Sequence, residues 1–175
     1  MKPVVVIGLG NPLMGDDGAG CAVAERLAGD QRLSENVEVI CGGSDLLRYA
    51  RHIEGRNRVV VIDAMLDDGA PGRVLRLEDA DSDLDDRQEH AHGLSAVQAI
   101  RLLALTSPVR WTLLGISIST VAPGTQLSPA LDARMPAIVD RVIEELTPHG
   151  GSVTRASRPA CLAVGRRPST RYTSS

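Results

Sequence analysis

The stretch "VVVIGLGNPLMGDDGAG", Val4 to Gly20, decides the fold class. Val4 to Ile7 are four consecutive β-branched residues, a run that suits a strand buried on both faces of an α/β sheet. The strand feeds directly into Gly8-Leu9-Gly10, and glycines after a strand permit a tight turn and the close approach of another backbone. Leu13 occupies the third glycine position of G-x-G-x-x-G, so the dinucleotide fingerprint fails. Asp16 and Asp17 would also repel a pyrophosphate, which disfavours a nucleotide. One of these aspartates can cap a helix beginning near Gly18, where the helix dipole favours negative charge. Adjacent side chains in an extended segment point opposite ways, so the other points into a cleft. The residues alone leave the choice between them even.

Further along, Val59 to Ile62 is a second buried β-branched run, and Val37 to Ile40 and Trp111 to Ile118 read as strands. Helices are expected over Ala19 to Leu27, over Ser44 to His52 with Ser44 as cap, and from Leu94, where Leu94, Val97, Ile100 and Leu103 recur at helical spacing. Ser128-Pro129 resembles a helix start, but Pro136 would clash with the carbonyl one turn back. A break is therefore expected there, with the main helix from about Pro136 to Leu146. After Asp63, the turn residues Asp68, Gly69, Pro71 and Gly72 precede a strand near Arg73 to Leu77. That connection is too short for a crossover helix, so the strand should be antiparallel or at an edge. The acidic "EDADSDLDDRQEH" reads as a surface loop. The expected architecture is a three-layer α/β sandwich, a mixed twisted sheet flanked by helices, in one domain over 1–148 with a disordered tail over 149–175.

Composition narrows the function. The chain has 175 residues, no Phe, one Trp and two Tyr, so aromatic stacking on bases is poorly supplied. Its net charge of -3 hides an asymmetry, because the tail carries Arg155, Arg158, Arg166, Arg167 and Arg171 and no acid. Removing those five from the 19 cations leaves 14 against 22 acids, a body at -8. That balance argues against a nucleic-acid partner and suits a cationic partner or a metal. Cys21, Cys41 and Cys161 are odd in number and widely spaced, the usage of reduced thiols in a cytoplasmic protein. No apolar run reaches the length of a membrane span.

Among the acids, Asp63 is the most informative. It closes "RVVVID", and the carboxyl ends of strands are where open α/β sheets form ligand crevices. If the Val4 and Val59 strands are parallel neighbours, Asp17 and Asp63 converge on one edge of the sheet. His92 lies in "EHAHGLS" just before a helix, whose positive end disfavours protonation and leaves a neutral imidazole suited to a metal; spacing alone favours an exposed loop histidine. Two carboxylates and one imidazole make a mixed O/N site fit for nickel or zinc. Cys41, before Gly42-Gly43, reads as a buried small residue rather than an activated thiolate. No G-x-S-x-G elbow exists.

Taken in order, "GLGNPLMGDDGAG", "CGGSDLL", "VVVIDAMLDDGAPGRV", "HGLS" and "LLGISI…APGTQLSPAL" closely resemble the hydrogenase maturation endopeptidases of nickel-iron hydrogenases, over roughly residues 3 to 146. The resemblance implies an α/β sandwich enzyme that removes a C-terminal extension from the hydrogenase large-subunit precursor once nickel has been inserted there. Nickel is then carried by the substrate, and no organic cofactor is needed. Matched motif to motif, the family's nickel-engaging side chains fall on Asp17, Asp63 and His92, which leaves Asp16 as the helix start. Two positions depart from the family pattern: Cys41 stands where an acid usually precedes Gly-Gly, and Ala122 where a glutamate is expected before Pro123. "GLGNP" also opens peptidyl-tRNA hydrolases, but their tyrosine and Thr-Arg-His-Asn segments are lacking here. A third reading is a nickel-checking assembly factor that does not cut.

Overall fold

The computed structural model describes residues 1–78 and 95–147. Five strands, β1 (Val4–Leu9), β2 (Val37–Gly43), β3 (Arg58–Leu66), β4 (Val74–Glu78) and β5 (Arg110–Ile118), form one sheet in the order β2-β1-β3-β5-β4. The first, second, third and fifth are mutually parallel, and β4 runs antiparallel to β5 at the edge. The short connection after Asp63 therefore does produce an antiparallel edge strand. It lies beyond β5 rather than beside β3.

The β-branched runs work because alternate side chains feed two cores. On one face Val6, Val60, Ile62, Leu114 and Ile116 meet α1 (Ala19–Ala28), through Val23 and Leu27, and α5 (Met135–Leu146), through Met135, Ile138 and Val142. On the other, Val5, Ile7, Val59, Val61 and Leu113 pack on Leu46 and Ile53, and on Ala99 and Leu103 of α3 (Ala96–Ala104). Helices on both faces of the sheet make the expected three-layer sandwich.

Several boundaries differ from expectation for local reasons. The segment after Ser44 is a 3-10 turn, Leu46–Tyr49, followed by the one-turn α2 (Ala50–Ile53), and the cap is Asp45, whose carboxylate accepts from the Leu47 amide at 3.0 Å. At the other end Ser128 caps α4 (Pro129–Asp132), and the chain breaks before Pro136 as its ring requires. Ser95 opens α3 with a full capping box involving Gln98. The acidic loop from Asp79 onward, Leu94, His92 and the tail expected over 149–175 lie outside the described residues.

Candidate active site at the carboxyl ends of β1 and β3

The strand order reverses at β1, whose connection leads outward to β2 while β3 lies on its other side. In doubly wound sheets this is where a crevice opens beyond the strand ends. Register fixes where it begins. Pairing of β1 with β3 stops at Gly8 and Ile62, and Leu9 shifts toward Gly43 of β2. Meanwhile β3 continues through Asp63 to Leu66 against β5. Asp63 is thus the first β3 residue past the β1 ladder. It does not close its strand; the strand runs on along one side of the crevice.

Asp17 reaches the same place by the first loop. The chain turns at Gly10, where φ is +125° and an added Cβ would fall 1.9 Å from the Asp17 carbonyl oxygen. At Gly8 an added Cβ would fall 2.2 Å from the Gly20 carbonyl. The two glycines therefore let the loop and the first turn of α1 settle onto the strand end. The loop closes on itself: the Asn11 side chain accepts from the Leu13 amide at 3.0 Å, and the Met14 amide donates to the Asn11 carbonyl at 3.0 Å. The Asn11 amide in turn donates to the Asp17 carboxylate at 2.9 Å, holding that half-buried group at the loop's mouth.

The electrostatics bind the pair together. Burial pushes the Asp63 carboxyl up to about 7 from an ordinary value of 3.8, the Ala64 amide pulls against this through a 2.9 Å hydrogen bond, and the negative charge of Asp17 adds to the rise. Asp63 is half-buried: its surroundings are apolar enough to disfavour the charge, yet it still reaches solvent. An acid that titrates near neutrality beside a like charge in a crevice is the pattern of a functional pair.

Asp16 does a different job from the one expected of it. Neither the 3-10 turn Gly15–Gly18 nor α1 has a side-chain cap. Asp16 is buried, and its carboxylate accepts from the Ser128 amide at 2.6 Å and the Ser128 hydroxyl at 2.8 Å. Backbone bonds from Gly15 to the Gly124 carbonyl, 2.8 Å, and from Gly124 to the Leu13 carbonyl, 2.9 Å, reinforce the same seam. Asp16 thus clamps the first loop to the segment leading into α4 and leaves Asp17 pointing to the crevice. Sequence reasoning missed this clamp and the Asn11 amide, because both rest on contacts that no spacing signals. Cys41 also departs from expectation: it is exposed on an edge strand, while Cys21 is the buried thiol.

Among the described residues no three of His, Cys, Asp and Glu are grouped closely enough to hold a metal. Of the three side chains expected to engage a metal, Asp17 and Asp63 lie together at the crevice and His92 lies outside the described residues.

Comparison with known proteins assigns the family. The family model for hydrogenase maturation proteases, HycI, matches residues 21–145. Hydrogenase 2 maturation protease of Escherichia coli is 25% identical over 151 residues, covering 84% of this chain and 92% of that protein. The NiFe hydrogenase maturation protease HybD from Thermococcus kodakarensis superposes with a TM-score of 0.67 at 28% identity, over 84% of this chain and 100% of its own. HycI from the same organism shares the fold, with a TM-score of 0.70 at 22% identity over 83% and 92% of the two chains. With a family model matching most of the chain, from within α1 into α5, the chain belongs to the hydrogenase maturation protease family and is a peptidase.

Proposed function

We propose that the chain cuts the C-terminal extension from a nickel-iron hydrogenase large-subunit precursor, and that Asp17, Asp63 and His92 read the nickel the precursor carries. The observation that carries this reading is the pair of carboxylates at the crevice, one of them held half-protonated near neutral pH beside the other. Two like charges in a poorly solvated crevice oppose full ionisation. A divalent ion delivered by the substrate removes that opposition, so Asp63 ionises fully once the loaded precursor is in place. Their oxygens and the imidazole nitrogen of His92 form a donor set suited to a borderline divalent metal.

Hydrolysis follows as a metal-assisted attack at the scissile carbonyl. The ion polarises the carbonyl or its attacking water, and Asp63, nearest the chemistry, steers the proton released from that water. Engaging the metal costs Asp63 its proton. Affinity for the loaded precursor should therefore fall by up to about tenfold per pH unit below the Asp63 pKa.

Intact-mass measurement tests the reading. Nickel-loaded precursor should be shortened by the purified protein, with the released peptide recovered, and Asp63→Ala or His92→Ala should abolish the cut. Tight binding with no change in precursor mass would make the chain a checking factor instead, and release of tRNA from peptidyl-tRNA would move it to a different hydrolase class.

A further inference from the structure

Two thiols meet beside the crevice. Side chains of β2 alternate between the layers: Val39 packs with the α1 face and Ile40 with the other. Cys41, two residues beyond Val39, therefore faces α1. Its partner across the parallel ladder is Gly8, where an added Cβ would point at the Gly20 carbonyl of α1. Cys21 sits in the first turn of α1 over that same spot, its thiol donating to the Gly8 carbonyl at 3.3 Å and lying 3.7 Å from the Gly10 carbonyl. Burial, then hydrogen bonding with the Cys41 sulfur, push the Cys21 thiol up to about 12. Cys21 is thus protonated and shielded, whereas Cys41 is open to solvent on the edge strand.

We propose that Cys21 and Cys41 are a modification site, a dithiol that a low-molecular-weight disulfide such as glutathione disulfide oxidises to one intramolecular bridge between α1 and β2. The Cys41 thiolate attacks one sulfur of the reagent and expels a first glutathione thiolate, leaving a mixed disulfide on Cys41. Cys21 then gives its proton to solvent and attacks the Cys41 sulfur, expelling a second glutathione thiolate. Two protein thiols lose two electrons, and one disulfide is reduced to two thiols. The exposed residue is the entry point because the reagent reaches Cys41 and not the buried Cys21, whereas the second attack is intramolecular and needs no such access. The bridge would tie the first turn of α1 to β2 behind the loop that carries Asp17.

The test uses the full chain, folded and reduced, incubated with glutathione disulfide, quenched with acid and alkylated in denaturant. The expected product has lost two hydrogens, retains one alkylatable thiol of its three cysteines, and yields a peptide in which Cys21 is joined to Cys41. Cys41→Ser should leave Cys21 fully alkylatable, and Cys161→Ser should leave the bridge intact. A stable glutathione adduct on Cys41 without a cross-link, a bridge to Cys161, or cross-linking only in urea would overturn the proposal. None of these outcomes depends on whether a precursor is cleaved.

Discussion

The carboxyl of Asp63 titrates at about 7 in the fold and near 3.8 when unfolded. Between those values the folded chain keeps a proton that the unfolded chain has released, so stability falls as pH rises across the window and levels off above it. At about 1.4 kcal/mol per pKa unit the penalty reaches at most about 4 kcal/mol, less to the extent that solvent reaches the half-buried side chain. Asp63→Asn removes the charge and with it the penalty. Urea denaturation should find the variant more stable than the parent above the Asp63 pKa, by about 1–4 kcal/mol, with the gap closing toward pH 3.8. A constant difference at all pH values would show that Asp63 is not the strained acid. The neighbouring pair teaches how far single residues are readable. Two adjacent aspartates after a glycine turn announce chemistry, but what separates them here is that Ser128, 112 residues away, claims Asp16 while the Asn11 amide holds Asp17. The Ser128 contact is not signalled by anything local to the pair.

At the scale of elements, the first loop was the most legible piece and also the most misleading. Its strand, its glycine turn and the helix after it all form where the β-branched run and the glycines place them. What the glycines accommodate is the loop's own backbone: Gly10 passes under the Asp17 carbonyl. Gly10→Ala should cost about 2 kcal/mol or more, from a backbone angle that L-residues rarely adopt and from collision with Asp17. Thermal denaturation measures the loss, and an unchanged melting temperature would contradict the close approach. The helix start at Ser128 was readable because a capping residue and a proline mark it, whereas apolar spacing put the start of α3 at Leu94 and did not single out its cap, Ser95. The short segment after Ser44 was not readable, because Asp45 competes as cap and the turn tightens into 3-10 form. The exposure of Cys41 was equally hidden, since local sequence does not say that β2 is an edge strand.

For the whole molecule, parallel strands buried on both faces and alternating with helices were enough to set the layers, while strand order had to come from the structure. That order matters, because placing β1 beside β3 turns two acids 46 positions apart into one site. The end of the sheet away from the crevice is held differently. Glu145 of α5 accepts from Arg58 at the start of β3, 2.7 Å, and from Arg76 of β4, 2.8 Å. Burial pushes its carboxyl up, but the bonds from Arg76 and then Arg58 outweigh this and hold it below the usual range. Glu145→Ala leaves both arginines without that carboxylate and should destabilise the fold by about 3 kcal/mol, while the Asp63 pKa, read by carbon NMR, stays near 7. The acidic body of -8 set against the basic tail is the charge balance that the proposed metal-carrying partner calls for.

The most direct measurement compares the initial rate at which one precursor is shortened in its nickel-loaded and nickel-free forms, followed by intact mass. Reading of the metal by Asp17, Asp63 and His92 predicts shortening of the loaded form and none of the nickel-free form, with Asp63→Ala inactive on both. Equal rates on the two forms would contradict it.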